Sequence, residues 1–349
     1  MAVIWSFPGE ENRRSNPYTS TLIDELRKLG HTAFSPSWPQ RVLGRCDIVH
    51  LHWPQKVVQD SLLLSLRSIT LWLTFLALQK ARGARIVWTV HNVASHEALR
   101  PRLERWWMLR LLGLVDGVHA LSADSLREAR TIYPAIAKKE YLIAPHWTYA
   151  GAYPAATRKT LPPGTVAFLG DLKAYKGLDV LLEALEAAEP DRRRYLVHGL
   201  PSDGIDPAAL EARLCALQHR GWQLEFVLQR LSEQEMADRL AETGLLVLPY
   251  HSGENSGLAV LAAERGTPLL VSALPAFEPL LEELPPPRVT EIVAPLTHVQ
   301  IADAFDRASG VMGMIDQEFV ARRAPGRIVR EISNYYLFLM DQARGSTSR

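Results

Sequence analysis

At 349 residues, 47% apolar and 22% charged, the chain is too long for one comfortable core and suits two α/β domains of ordinary size. Its two cysteines, Cys46 and Cys215, lie far apart and in no metal or redox spacing, which excludes a disulfide framework and points to a reducing compartment. No nucleic-acid partner is expected, and the net charge of +1 hides an asymmetry: residues 1–150 hold 19 Lys+Arg against 12 Asp+Glu, the rest 20 against 26.

The opening AVIWSF reads as a buried strand, with no basic segment or cleavage pattern of a signal peptide around it. A loop, PGEENRRSNPY, leads to the helix TSTLIDELRKLGH, where Leu22, Ile23, Leu26 and Leu29 repeat at helical spacing and Gly30 stops it. DIVHLHWP, ARIVWTVHN, DGVHALS and EYLIAPHW read as further strands with helices between them. Such alternation implies a parallel sheet covered on both faces.

Two segments of this half stand out. SLLLSLRSITLWLTFLALQK (61–80) is long enough for a membrane span but carries Arg67 near its middle, and RLERWWMLRLLGLV (102–115) mixes Trp and Leu with Arg. Both read either as core helices or as an apolar, basic-flanked face on a membrane surface. Eight of the nine tryptophans fall in residues 1–150, giving that half a basic, Trp-rich character.

The pattern restarts after a Pro- and Ala-rich stretch, which places a hinge near residues 152–163. GTVAFLG, RYLVHG, LEFVLQ, LLVLPY and TPLLVS are strands of a second doubly wound unit, separated by amphipathic helices. A helical tail from Asp316 carries the apolar stripe of RIVREISNYYLFLMDQ.

The second unit holds the clearest chemistry. Gly170 ends its first strand and Lys176-Gly177 opens the next helix, so free backbone N–H groups, a helix dipole and a lysine charge converge, with Lys173 alongside. After LLVLPY, the run Ser252, Gly253, Glu254, Asn255, Ser256 and Gly257 forms a second cradle of N–H and hydroxyl donors. Both loops follow strand C-termini and open on one sheet edge, as a diphosphate requires. Gly199, ending RYLVHG, would let a nucleotide approach the backbone closely.

With these residues the chain resembles the GT-B glycosyltransferases: Gly170, Lys176-Gly177, Glu254, Gly257-Leu258 and Gly266-Thr267-Pro268 match the donor-site pattern. The resemblance implies an α/β fold of two Rossmann-like domains with a C-terminal helix crossing back. Its limits would be 1–152 for the acceptor domain, 153–315 for the nucleotide-sugar domain and 316–349 for a helical tail packing toward the first domain. Many retaining members carry a second glutamate separated from the first by seven residues, where this chain has Ala262, or Leu261 in another alignment. Glu264, one turn on, is the nearest substitute for its ribose contact. NPY (16–18), HLHWP (50–54), TVHN (89–92) and His96-Glu97 are similar to bacterial exopolysaccharide mannosyltransferases of the xanthan-assembly type. That likeness implies inverting transfer of mannose from GDP-mannose to a polyprenyl-diphosphate-linked glycan at the cytoplasmic face of the inner membrane. The alternatives are a retaining transferase using a UDP-sugar and a non-catalytic nucleotide-sugar-binding partner subunit.

The same residues of the first half can be read chemically. His50 and His52 share one face of a strand near its C-terminal end and, with Asn16, Trp53 and Asn92, would line the acceptor site. Inverting transfer needs a base for the acceptor hydroxyl; Glu97 is the first candidate, with His91 and then Asp124 behind it. No D-x-D triad occurs, so Lys176, Lys173 and helix N-termini would neutralise the leaving diphosphate without metal or other cofactor.

Overall fold

The computed structural model describes residues 1–13, 17–93, 100–149, 151–157, 164–202, 204–253 and 255–346; Asn16, Glu97 and Glu254 lie outside them. Two compact units result: residues 1–147 with 323–349, and residues 148–322. Among the described residues each unit is built on one six-stranded parallel sheet.

The first sheet contains β1 (Val3–Phe7), β2 (Thr32–Phe34), β3 (Ile48–Leu51), β4 (Arg85–Val90), β5 (Gly117–Ala120) and β6 (Glu140–Ile143), in the order β2-β1-β3-β4-β5-β6. The chain reverses its direction of travel across the sheet at β1 and β3, which makes their C-terminal ends a ligand-binding switch point. β3 and β4 are buried on both faces, so their residues run as continuous apolar stretches rather than alternating. Trp5, Trp88, Trp107 and Trp147 are fully or almost fully buried. The Trp-rich character of this half is thus largely internal: half of the first 150 residues' tryptophans fill the core, and Trp38 and Trp106 are the ones exposed.

The last helix, Pro325–Ser346, belongs to this unit. Ile328, Val329, Ile332, Tyr336 and Leu339 recur at helical spacing and pack with Leu22, Ile23 and Leu26. Arg323 donates to the His146 carbonyl at 2.9 Å, fastening the start of this segment. The preceding helix, Gln317–Arg322, stays with the second unit because Phe319 is buried in that unit's core. The change of unit therefore comes at Arg323, later than 316, and the earlier one at Thr148 rather than 153.

The second sheet contains β7 (Thr165–Leu169), β8 (Arg194–His198), β9 (Gln223–Val227), β10 (Thr243–Leu248), β11 (Leu269–Val271) and β12 (Val289–Glu291), ordered β12-β11-β10-β7-β8-β9. Its switch point lies between β7 and β10, which pair directly. Leu178, Leu181, Leu182 and Leu185 of the helix Leu178–Glu186 cover one face, and Ala259, Leu261, Ala262 and Ala263 of the helix Gly257–Glu264 cover the other.

Candidate active site

The two loops singled out in the second unit leave β7 and β10 at the switch point and are knit together by backbone. Gly170 (φ +99°) turns the chain out of β7, and a short 3-10 turn, Ala174–Lys176, leads to Gly177 (φ +69°). A β-carbon on Gly177 would lie 1.9 Å from the Pro249 carbonyl oxygen, so only glycine lets the loop after β10 pass. The His251 N–H donates to the Tyr175 carbonyl at 2.8 Å, and His251 Nε2 lies 3.0 Å from both carboxylate oxygens of Asp179.

Lys176 is the charge of this site. Its Nζ would be 3.7 Å from a β-carbon on Gly170, so the amine sits over the turn out of β7. Among the described residues it has no hydrogen-bond or ion-pair partner. Burial pushes its pKa down to about 8, with Asp171 opposing the shift and Lys173 adding to it. A half-buried amine with no ion-pair partner among the described residues has the charge and free donors to receive an anion. Lys173 is also half-buried on this loop. Ser252, Gly253 (φ +145°) and Asn255 are half-buried in the second loop. Ser256 Oγ accepts from the Ala259 N–H at 3.3 Å and caps the helix that Gly257 opens.

Three expectations for this unit change. Gly199 is required by the protein's own backbone rather than by a nucleotide: its β-carbon would fall 1.7 Å from the Gly170 carbonyl oxygen. Gly266 (φ +72°) is held by packing against the Gly313–Met314 backbone, so the Gly-Thr-Pro motif here keeps the fold. Glu264 accepts the Tyr149 N–H at 2.7 Å, so its carboxylate anchors the start of the second unit instead of waiting for a ribose.

In the first unit the strand ends carry histidines. His50, His52 and His119 have at most 1% of their surface exposed, and His91 and His146 are also buried. His50 Nε2 lies 2.6 Å from Thr89 Oγ1 and its Nδ1 2.6 Å from the Tyr336 hydroxyl, so both ring nitrogens are committed. This corrects its assignment as an acceptor contact: His50 is a satisfied core residue under the last helix. His119 Nδ1 lies 3.1 Å from the same Thr89 Oγ1, and its Nε2 3.0 Å from the Ala144 carbonyl.

His52 and His91 form a second chain. The Ser6 hydroxyl donates to the Pro8 carbonyl at 2.9 Å, so at the 3.1 Å contact His52 Nε2–H donates to Ser6 Oγ. His52 Nδ1 is then an acceptor, and His91 Nε2–H donates to it at 3.3 Å. His91 Nδ1 is left with the lone pair. Burial holds His50, His52 and His91 well below the usual histidine range, and pushes His119 and His146 down to about 4, so all five are neutral at pH 7.

Trp53 stacks on His91 with ring centroids 4.3 Å apart and 22° between planes, and Tyr18 meets His91 edge-on at 4.7 Å. Gln55 Nε2 donates to the Asn92 carbonyl at 2.8 Å and fixes the loop after β4. The first unit therefore brings together His52, Trp53, His91 and Asn92. Asp124 forms an ion pair with Arg127 one turn along its helix. The sequence reading missed Ser6, Tyr18, Thr89, His119, His146 and Tyr336 as members of this array. The available signal was a histidine at the C-terminal end of each of four strand segments, HLHW, TVHN, GVHA and APHW. Among the described residues, no three His, Cys, Asp or Glu side chains gather as a metal site.

A search of family models finds no match. Over 315 residues the chain is 26% identical to the GDP-mannose:glycolipid 4-beta-D-mannosyltransferase of Xanthomonas campestris pv. campestris, covering 90% of this chain and 83% of that protein. Of solved structures, the sucrose-phosphate synthase of Thermosynechococcus elongatus superposes with a TM-score of 0.68 at 16% identity, over 98% of this chain and 96% of that one. The Anabaena protein HepE, in complex with UDP, gives 0.63 at 11% identity over 96% and 99%. These structures share the two-sheet fold. With that architecture and a curated relative along most of its length, the chain is a glycosyltransferase of GT-B fold, similar to a bacterial GDP-mannose β-mannosyltransferase.

Proposed function

We propose that this enzyme transfers mannose from GDP-mannose, with inversion, to a polyprenyl-diphosphate-linked oligosaccharide in exopolysaccharide assembly. The 315-residue relationship to a mannosyltransferase acting on a glycolipid carries this reading. The sites agree with it in kind. Lys176 and the loops after β7 and β10 hold the donor diphosphate and stabilise charge as GDP leaves. A base in the first unit takes the acceptor hydroxyl proton as attack begins; Glu97 and His91 are the candidates. Lys176 supplies the cation that a metal ion provides elsewhere, and full activity in excess EDTA is the expected result.

The enzyme works at the cytoplasmic membrane surface as a peripheral protein. The helix Leu62–Ala81 has the length and composition of a span, but Ile69, Phe75 and Leu76 are buried in the unit's core. Its exposed side carries Leu63, Leu66, Arg67 and Leu71, and the neighbouring helix Pro101–Leu114 exposes Arg102, Arg105, Trp106, Leu109 and Arg110. Neither helix exposes an acid, since Glu104 is buried. Leucine, tryptophan and arginine without acids suit an anionic lipid surface.

The test is transfer by the purified protein. GDP-, UDP- and ADP-sugars are first ranked by thermal shift, and the best donor is supplied with lipid-linked acceptor. A β-mannoside made from GDP-mannose supports the proposal; preference for a UDP-sugar with retention, or no turnover with any donor, overturns it.

A further inference from the structure

The switch point of the first sheet holds a pocket of about 390 Å³, bounded by the C-terminal ends of β1 and β3 and by the helix Leu62–Ala81. That is within the range of about 300–1,000 Å³ typical of small-molecule sites. Phe7, Trp53 and Trp72 form aromatic walls, and Arg41, Lys56 and Glu11 bring charge.

Arg41 is its most telling group. The guanidinium lies 4.6 Å from the Phe7 ring centroid, 4.8 Å from Trp38 and 5.5 Å from Trp72, and its Nε donates to the Pro36 carbonyl at 3.0 Å. Its two terminal nitrogens have no hydrogen-bond partner among the described residues. Three rings and one backbone bond thus hold a planar fork in place with its donors unspent, an arrangement matched to a carboxylate or phosphate. Lys56 Nζ, 5.5 Å from the Trp53 ring, also lacks a hydrogen-bond or ion-pair partner among the described residues. The acid on the wall, Glu11, accepts from Ser35 Oγ at 3.1 Å; its charge is felt by Arg41 but makes no ion pair with it, so the guanidinium's donors stay open.

Two adjacencies identify the occupant. Trp53 is a wall of the pocket and the ring stacked on His91, so the pocket's contents lie one aromatic ring from a candidate base. Ser68 and Trp72, one helical turn apart, line the pocket from the helix whose exposed residues include Leu63, Leu66 and Leu71. A ligand here would have its polar end against aromatic rings and cations, beside a face suited to lipid. We propose that this pocket binds an oxyanion of the acceptor, with an adjoining sugar ring against the tryptophans and Arg41 and Lys56 on the charge. The oxyanion is a phosphate of the lipid diphosphate or the carboxylate of an acidic sugar. This deepens the proposed function and rests on it for the word acceptor; the anion site itself does not.

The test titrates the full chain, in detergent below its critical micelle concentration, with four probes: farnesyl diphosphate, farnesol, methyl glucuronide and methyl glucoside. Binding is read from tryptophan fluorescence. At least one anionic probe should bind about tenfold or more tightly than its neutral counterpart, and lose that advantage in Arg41→Gln and Lys56→Gln. The diphosphate winning assigns the lipid end; the glucuronide winning assigns an acidic sugar; either supports the site. Equal binding of neutral and anionic probes, or anion binding unchanged in both variants, overturns it. Lys56 is exposed, so its variant tests charge with little risk to folding, and an unchanged GDP thermal shift verifies each variant. Failure of mannosyl transfer with intact anion binding would reject the proposed function and leave the site standing.

Discussion

A β-carbon on Gly177 would lie 1.9 Å from the carbonyl oxygen of Pro249, so the loop after β7 and the loop after β10 are in backbone contact through a missing side chain. Gly177→Ala must open that contact and also hold alanine at φ +69°. Overpacking and the left-handed conformation together cost roughly 2–5 kcal/mol. Urea unfolding should show that loss and GDP titration a weakened donor site. A Gly177→Ala protein with wild-type stability and affinity would mean the loops do not meet this way.

If the donor diphosphate sits on Lys176 as proposed, donor binding depends on pH. Its folded-state pKa of about 8 lies below the ordinary 10.5 because the charged form is desolvated. Below about pH 8 the amine is protonated whether the chain is folded or not, and the fold bears the full desolvation cost. Between about 8 and 10.5 the folded state releases the proton first, so stability rises with pH across that window. A bound diphosphate requires the protonated form, so GDP affinity should be level below pH 8 and fall above it, by up to about tenfold per unit. Calorimetry from pH 7 to 9 measures this. Lys176→Met should bind about 10- to 100-fold more weakly and lose the slope; a slope that persists would assign the titration elsewhere.

The strand–helix alternation and the two loops at the second sheet's switch point were legible because they depend on local signals: apolar runs, turn glycines and a lysine before a helix. What was not legible depends on partners distant in the chain. His50 reads as a strand-end polar residue until Tyr336, on the last helix, is found on its Nδ1. Gly199 reads as space for a ligand until the register of β7 on β8 brings the Gly170 carbonyl against it. Three-residue strands such as β2 and β12 are too short to carry a period, and went unread.

The buried histidines set an acid limit on the fold. Unfolded, each takes up a proton near pH 6.5; folded, His119 and His146 resist until about 4, and the other three are also held down. Their contribution is therefore complete above 6.5 and lost as pH falls toward 4. For His119 and His146 it amounts to about 3 kcal/mol each. The melting temperature should fall steeply from pH 6.5 to 4.5. His119→Gln should flatten that fall; an unchanged acid limb would show that these rings titrate freely in the folded protein.

The Ser6–His52–His91 chain predicts a tautomer. Nitrogen-15 NMR at pH 7 should find both His52 and His91 protonated on Nε2, leaving His91 Nδ1 to accept. Ser6→Ala removes the acceptor that sets the direction of the chain, so His52 can reverse and carry His91 with it. Turnover should drop by about 10- to 100-fold, the scale on which positioning partners act, while GDP affinity stays as in the wild type. An Nδ1–H signal on His91 in the wild type would overturn the assignment.

The exposed side of the helix Leu62–Ala81 can be separated from its buried side because the two are populated by different residues. Leu63 and Leu66 are 76% and 43% exposed, while Ile69 and Leu76 are 2% and 0%. Substituting the exposed pair with glutamate leaves the core intact and places two negative charges where the face lacked any, so stability in urea should change little. Repulsion from an anionic bilayer and loss of apolar contact act together, against an attraction of about 1 kcal/mol for each basic residue near the surface. The double variant should float with phosphatidylglycerol vesicles far less than the wild type, and the difference should shrink on neutral phosphatidylcholine, where charge no longer contributes. Transfer to a water-soluble acceptor analogue should be preserved while transfer to lipid-linked acceptor falls. Equal flotation of both proteins on anionic vesicles would remove this helix from the membrane face and leave the arginines of the helix Pro101–Leu114 to be tested in its place.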